Sequence, residues 1–479
     1  MSTGNRTEVD VAVVGAGFAG LGTALRLAGR GRESFVVLER APEVGGTWRD
    51  NVYPGVACDV PAPLYSLSFA PVDHSRVFAP GAEIQEHLRS LGRRDGVREN
   101  LRLSTELLRA RWDGSAGGVD GRWELETSAG AVRARTLVLA AGRLTEPRFP
   151  DVAGLADLAG PVVHTARWPG DLDLRGARVG VVGTGASAVQ VVPELARVAA
   201  GLVVFQRSAP WIVPRGDGPW RAGERDRQQV FAELEGQIPA RRGEAAALRR
   251  ARERAEQHRA RQVRDPGLAA RLRPEHEIGC RRVLLSDDYY PALQLPHVRL
   301  EPTALRAVTG PRTVVSAAGR EHDVDALVLA TGFRAARPPY AERVRGERST
   351  LAEHWSARGM TSVASTVVTG FPNLFVLGGP NAGLGHNSAL TTIEAQIDYL
   401  LGALDHLDAD PRPLAVSAAA EDAYTREIDA MAAGTVWLDG CRSWYRDPVS
   451  GRLTLVWPGS AAEFRARNGT FDPAPFGRG

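Results

Sequence analysis

The feature that most constrains this chain is a glycine-rich turn written twice, 168 residues apart, each time between a β-branched run and a helical pattern. The first copy is DVAVVGAGFAGLGTALRLAG, with Gly15, Gly17 and Gly20. The second is ARVGVVGTGASAVQVVPELA, with Gly183, Gly185 and Ala188 in the third place. Strand, tight turn and helix in that order open a doubly wound α/β unit. The first glycine makes the turn, the second lets the backbone approach a pyrophosphate, and the third lets the helix pack on the strand. The phosphates then meet the helix N-terminus. Two such units predict an α/β chain with two Rossmann-like dinucleotide-binding domains.

The next strands differ at their ends. SFVVLER closes on Glu39, 24 residues after Gly15, where a carboxylate accepts hydrogen bonds from both hydroxyls of an adenosine ribose. A solvated acid at a strand end is the plainer alternative. In VVFQRSAP the matching place is Gln206, and Arg207 follows it. Losing the acid removes repulsion of a ribose 2′-phosphate, and a guanidinium holds that phosphate with paired hydrogen bonds. The first unit is therefore expected to hold FAD and the second NADPH; the alternative for Arg207 is an ordinary surface arginine. Ser187, Gln190 and Ser208 are counted with the NADPH contacts.

At 479 residues the chain has room for two or three domains. Its 43% hydrophobic and 24% charged residues are those of a globular protein, and a net charge of +3 points to no nucleic-acid or membrane partner. No lysine is present, so arginine supplies every basic side chain. Cys58, Cys280 and Cys441 lie far apart with no C-x-x-C, and are expected to be free thiols in a reducing compartment, with no structural zinc and no redox-active disulfide. The start MSTGNRTEVD lacks a basic, apolar signal pattern, and no apolar run is long enough to span a bilayer. A cytoplasmic protein is expected.

RTLVLAAG (135–142) and DALVLATGF (325–333) read as strands that end in small residues, suited to chain crossings between domains. FPNLFVLGGPN (371–381) is a third, expected to bring Asn381 near a cofactor. The Arg/Glu-laced helical stretch at about 218–275 reads as a solvated insertion, because interleaved acids argue against a nucleic-acid patch. The expected domains are 1–145 (FAD, first part), 146–345 (NADPH, with the insertion) and 346–479 (FAD, second part, with a substrate-lining C-terminal segment).

Two longer patterns resemble a family. GGTWRDNVYPGVACD (45–59) and LAGPVVHTARWP (158–169) are similar to the two signature sequences of Baeyer-Villiger monooxygenases, within the class B flavoprotein monooxygenases. Gly45, Gly46, Trp48, Tyr53, Pro54, Gly55 and Asp59 carry the first. Gly160, His164, Trp168 and Pro169 carry the second, with Leu158 where the family usually has phenylalanine. HEIGCRRVLLSDDYYPAL (276–293) resembles the segment that carries the family's active-site arginine, here Arg282. Arg281 stands where relatives usually have a lysine that helps hold the 2′-phosphate.

The resemblance implies FAD in a domain made of both chain ends, NADPH in an inserted domain, and an active site at their interface. Gly46, Trp48, Tyr53 and Asp59 would contact FAD. Arg282, oriented by Asp59, would be catalytic, stabilising the flavin peroxide and the tetrahedral adduct formed with a ketone. The alternative for Asp59 is a turn or capping role. His164 and Trp168 are expected to set hinge geometry. The implied reaction inserts one oxygen atom of dioxygen beside a ketone carbonyl, giving an ester or lactone; the protein would be a monomer or weak homo-oligomer. Two rivals stay open: sulfide or amine oxygenation by the same adduct, and an NADPH-dependent flavin reductase that does not oxygenate. GGPNAGLGHNSALTTIEAQ (378–396) and TVWLDGCRSWYRD (435–447) depart from the cyclohexanone-type enzymes and are expected to line the pocket. Trp437, Trp444, Tyr445 and Trp457 would form either an apolar lid or a small core.

Overall fold

The computed structural model describes residues 7–114, 121–221, 223 and 226–477; the first six residues, part of the segment in which no signal pattern was read, lie outside these. Two sheets organise them. The first has eight strands, ordered Val344–Arg345, Leu107–Asp113, Arg122–Thr127, Gly130–Leu139, Thr7–Val14, Phe35–Leu38 and Leu101–Arg102, with Leu374–Val376 joining the C-terminal half of Gly130–Leu139. The second has five parallel strands, ordered Val298–Glu301, Gly201–Phe205, Arg178–Val182, Ala326–Leu329 and Val162–His164. Both glycine turns follow central strands, Thr7–Val14 and Arg178–Val182, so each opens at the carboxyl end of its sheet, where ligands of such folds bind.

The strand cores are nearly continuous Val, Leu and Ala, as strands covered on both faces require. Helices Phe18–Ala28, Gly81–Gly92 and Ala389–Ala409 cover one face of the first sheet through Leu21, Leu27, Ile84, Leu88, Ile397 and Leu401. On the other face lie Trp112, Trp123, Trp355, Trp437 and Tyr445. Of the four C-terminal aromatics, Trp437 and Trp457 are at most 1% exposed and Tyr445 is buried, so these three are core; only Trp444 faces solvent.

Two expectations change. Cys280 and Cys441 are joined by a disulfide across 161 residues of sequence, with Cα atoms 6.0 Å apart, and only Cys58 is a free thiol. The three-thiol reading failed because pairing depends on where the fold brings chain segments, which spacing does not encode. The insertion is helical, and its longest helix, Ala245–Gln262, buries only Ala247, Leu248, Ala255 and His258. It is nevertheless more than a solvated appendage. Arg227 donates to the carbonyls of Pro63 and Ser66, and Glu235 accepts from His386, Asn387 and the backbone N–H groups of Ala461 and Ala462. The insertion is thereby bolted to the first sheet's half of the molecule. No described helix is long and apolar enough to cross a membrane, and no described cluster of His, Cys, Asp or Glu is arranged to hold a metal ion.

Candidate active site between the two nucleotide units

The two turns are built alike. Gly15 has φ +103° and Gly183 φ +113°, conformations that L side chains rarely adopt. A Cβ at Gly15 would lie 2.6 Å from the Ala140 carbonyl oxygen, and one at Gly183 2.5 Å from that of Ala330. Ala140 and Ala330 belong to the two small-residue strand ends seen in the sequence, which back the turns. Gly17 and Gly185 cap their helices without a side-chain hydrogen bond, and neither helix has an acid in its first turn. The free N–H groups and the helix dipole are thus left for an anion such as a pyrophosphate.

The strand ends are not alike. The Glu39 carboxylate, buried, accepts from Ala16 N–H (2.9 Å), Ala41 N–H (3.0 Å) and the Arg49 guanidinium (3.0 Å). A carboxylate has about four acceptor positions, so one remains for a ribose hydroxyl. Arg49, inside the first signature, is a partner that the sequence reading missed. Gln206 is buried and donates to the Arg271 carbonyl at 2.8 Å. Arg207 is exposed, and Arg281 lies close enough to feel its charge while donating to Ser208 Oγ at 2.8 Å. Burial, then the Arg207 charge, lowers the Arg281 pKa. Two guanidiniums with no carboxylate among the described residues paired to either can hold a phosphate.

The signature segment 45–59 joins the units. Gly55 (φ +82°) lets its loop sit directly on helix Ala186–Val198, since a Cβ there would lie 2.8 Å from the Gln190 carbonyl oxygen. Tyr53 donates to Gln190 Oε1 at 2.7 Å, and Gln190 Nε2 donates to the Ala57 carbonyl at 2.9 Å. Burial pushes the Tyr53 pKa up to about 12, so the phenol stays protonated. Gly46 (φ +54°) abuts Gly17, and Trp48 donates to the Tyr65 hydroxyl at 3.1 Å.

Asp59 and Arg282 meet across 223 residues of sequence. Nη2 of Arg282 donates to Asp59 Oδ1 at 2.8 Å, Nε donates to Oδ2, and Nη1 reaches the Leu384 carbonyl at 3.4 Å. The pair is bidentate and about 30% exposed, so it faces an opening. Burial alone would lower the arginine's pKa, but the charge and hydrogen bonds of Asp59 outweigh it and raise it above its usual value. The segment is pinned twice more. Leu284–Leu285 pairs with Ile212–Val213, and the disulfide ties Cys280 to the 435–447 loop.

The remaining expected residues have other partners. Ser187 opens helix Ala186–Val198 beside Tyr53. Asn381, buried, spends its amide N–H groups on the carbonyls of Leu453 (2.7 Å) and Val456 (3.0 Å), so its side chain shapes the 381–383 turn. His164 accepts from Ala166 N–H at 3.1 Å and bonds the Gly332 carbonyl at 3.1 Å through Nε2, which locks the linker between the sheets. Arg241, His386 and Tyr445 are buried near Arg282; the last two fall in the 378–396 and 435–447 segments expected to line the pocket, whereas nothing in the sequence marks Arg241.

Comparison with known proteins agrees with this arrangement. A family model described as an NAD(P)-binding Rossmann-like domain matches residues 13–79. A Baeyer-Villiger monooxygenase of Streptomyces coelicolor is 41% identical, over 98% of this chain and 92% of its own length. One from Pseudomonas aeruginosa is 38% identical, over 97% and 90%. Among solved structures, the cyclohexanone monooxygenase of Rhodococcus sp. Phi1 bound to NADP+ superposes with a TM-score of 0.84 at 27% identity, covering 96% of this chain and 97% of that one. A steroid monooxygenase bound to NADP superposes with a TM-score of 0.83 at 30% identity, covering 96% of each. With two curated relatives of that identity along nearly its whole length, the chain belongs to the Baeyer-Villiger monooxygenase family.

Proposed function

We propose that this protein is an NADPH- and FAD-dependent monooxygenase that inserts one oxygen atom of dioxygen beside a ketone carbonyl, giving an ester or lactone. FAD belongs on the first sheet, its pyrophosphate at the Gly15–Gly20 turn and its ribose at Glu39. NADPH belongs on the second, its pyrophosphate at the Gly183–Ala188 turn and its 2′-phosphate between Arg207 and Arg281. The domains follow as 1–145 with 346–479 for FAD and 146–345 for NADPH, except that Val344–Arg345 pairs with Leu107–Asp113 of the first sheet, so the return to the FAD side falls before residue 344. An enzyme that consumes NADPH works where that cofactor is regenerated, which favours the cytoplasm, although the Cys280–Cys441 disulfide removes the free-thiol argument for a reducing compartment.

The observation that carries the reading is the Arg282–Asp59 pair, held at the junction of the two units and open to solvent. When bound and reduced, the flavin supplies the chemistry that activates dioxygen. The chain's task is to hold negative charge where it develops on oxygen. Arg282 suits this because it cannot be deprotonated at working pH and its charge is in place before the reaction. Asp59 fixes the plane of the guanidinium and so aims Nη1, whose contact with the Leu384 carbonyl is long at 3.4 Å, as a donor for a reacting oxygen. His164, with both ring nitrogens engaged by backbone, is a hinge residue with no part in proton transfer. A flavin reductase has no use for the Arg282–Asp59 pair, and oxygenation of a sulfide or amine develops no anionic tetrahedral carbon for it to stabilise.

The test is aerobic turnover with NADPH on a cyclic ketone, an aryl ketone and a thioether, with product masses. Ester or lactone from the ketones, one per NADPH, is expected. Sulfoxide alone, or NADPH oxidation with no oxygenated product from any of the three, would overturn the proposal.

A further inference from the structure

Three buried polar atoms have no hydrogen-bond partner among the described residues: Nε of Arg241 and Nδ1 of His386, side chains close enough to Arg282 to feel its charge, and Nε1 of Trp437, which lies against Gly385. Arg241, 3% exposed, ends the short helix Ile238–Arg241 of the insertion. Among the described residues its guanidinium makes one hydrogen bond, to Gln237 Oε1 at 3.2 Å, and no carboxylate pairs with it. Its guanidinium lies against Gly279, three residues before Arg282, where a Cβ would collide with it. Burial pulls its pKa down to about 10, with Tyr445 opposing and the like charge of Arg282 adding to the shift.

His386, 5% exposed and held through Nε2 by Glu235 at 2.8 Å, feels the charges of both Arg241 and Arg282. Trp437, fully buried, packs its indole nitrogen edge on Gly385, and its helix, Val436–Asp439, contacts helix Ile238–Arg241.

Nearby carboxylates do not neutralise Arg241. Asp59 is spent on Arg282, and Glu235 is filled by His386, Asn387 and two backbone N–H groups. Arg282 has a carboxylate and Arg241 has none, and two buried N–H donors, on Arg241 and Trp437, have no acceptor among the described residues. Native proteins rarely leave buried donors unpaired, and a buried surplus charge calls for a counter-ion.

We propose that these unpaired donors take the carboxylate of the substrate, so that the enzyme acts on ketones that also carry an acid group: Arg241 and Trp437 donate to the carboxylate while the carbonyl faces Arg282. The inference rests on the monooxygenase reading above and deepens it. Each substrate carboxylate held this way is taken out of water by a paired cation, which an ester or amide of the same shape cannot match.

The test is binding to the FAD-loaded enzyme, followed by perturbation of the flavin absorbance, with cyclohexylacetate against cyclohexylacetamide. Wild type is expected to bind the acid at least roughly ten-fold more tightly. In Arg241→Met that ratio falls to about one, and in Trp437→Phe it falls part of the way, which serves if the first variant does not fold. Arg242→Met, the next residue, whose guanidinium meets Glu463 at the surface, keeps the wild-type ratio. Equal binding of acid and amide by wild type, or an unchanged ratio in Arg241→Met, would overturn the inference. So would an Arg241→Met enzyme in which only the KM for NADPH rises, because the guanidinium would then serve that cofactor. Binding needs no turnover, so failure of the oxygenation reading shows separately, as no lactone from either (4-oxocyclohexyl)acetate or its methyl ester.

Discussion

Glu39 and Gln206–Arg207 end equivalent strands of equivalent units, yet the first end is closed and the second open. Glu39 is buried, meets two backbone N–H groups and is neutralised by Arg49, all from its own half of the molecule. Arg207 is exposed and meets Arg281, another cation. A carboxylate already balanced inside the fold suits a nucleotide that stays. Two arginines that repel each other until a phosphate arrives suit one that comes and goes, because the binding free energy includes relief of that repulsion. In the proposed assignment the same motif serves a resident and an exchanging cofactor through what stands at the strand end.

The most severe way to break this comparison is at the glycines. Gly15→Val forces a β-branched residue into φ +103° against the Ala140 carbonyl, and little soluble, flavin-bearing protein is expected. Gly185, the second glycine of the other unit and the counterpart of Gly17, is different: in Gly185→Ala the added Cβ meets nothing within 4 Å. That variant should fold and keep its flavin while its KM for NADPH rises. Flavin content per chain and NADPH kinetics decide; a flavin-loaded Gly15→Val would show that the first turn is not the rigid element described.

Next in size is the open strand end. Arg207→Ala should lose roughly 10- to 150-fold of the NADPH over NADH preference, the range for a hydrogen-bonded charge, with NADH turnover largely kept. An unchanged ratio would make Arg207 a surface arginine and remove the contrast with Glu39.

Thiol titration sharpens the comparison from the covalent side. Without reductant, the denatured chain should show one reactive thiol, Cys58, and with reductant three, since Cys280 and Cys441 are joined. Three thiols from the unreduced protein would free the Arg281–Arg282 segment from the 435–447 loop.

The smallest effect concerns the clamp between the insertion and the first unit. Burial alone would raise the Glu235 pKa, but His386, Asn387 and the Ala461 and Ala462 N–H groups hold it at about 2. Because the folded value is depressed, this stabilisation is fully present above the unfolded value, near 4.3, and is lost as pH falls from there through about 2. Glu235→Gln should lower the Tm at neutral pH and flatten its fall with acid. A Tm profile parallel to wild type would mean that the clamp contributes nothing.

Much of this was legible from local pattern. Strand, turn and helix are short-range, so GAGFAG and GTGASA announce both units, and the acid or arginine at each strand end lies a fixed distance downstream. Asp59 and Arg282 were found only through the resemblance, because nothing local links residues 223 apart. The disulfide, the Glu235–His386 clamp and the unpaired Arg241 left no trace in the sequence for the same reason: each depends on how the insertion packs on the other half of the chain. The insertion's helix Ala245–Gln262 read as solvated because it is so for most of its length, whereas Arg227, Glu235 and Arg241 before it point inward.

The central claim is that Arg282, held by Asp59, makes this an ester-forming enzyme. It is tested most directly by comparing wild type with Arg282→Ala on one ketone in air, counting ester formed per NADPH consumed. The account predicts that ester formation falls about 100- to 1000-fold while NADPH is still oxidised. Equal ester yields from both proteins would contradict it.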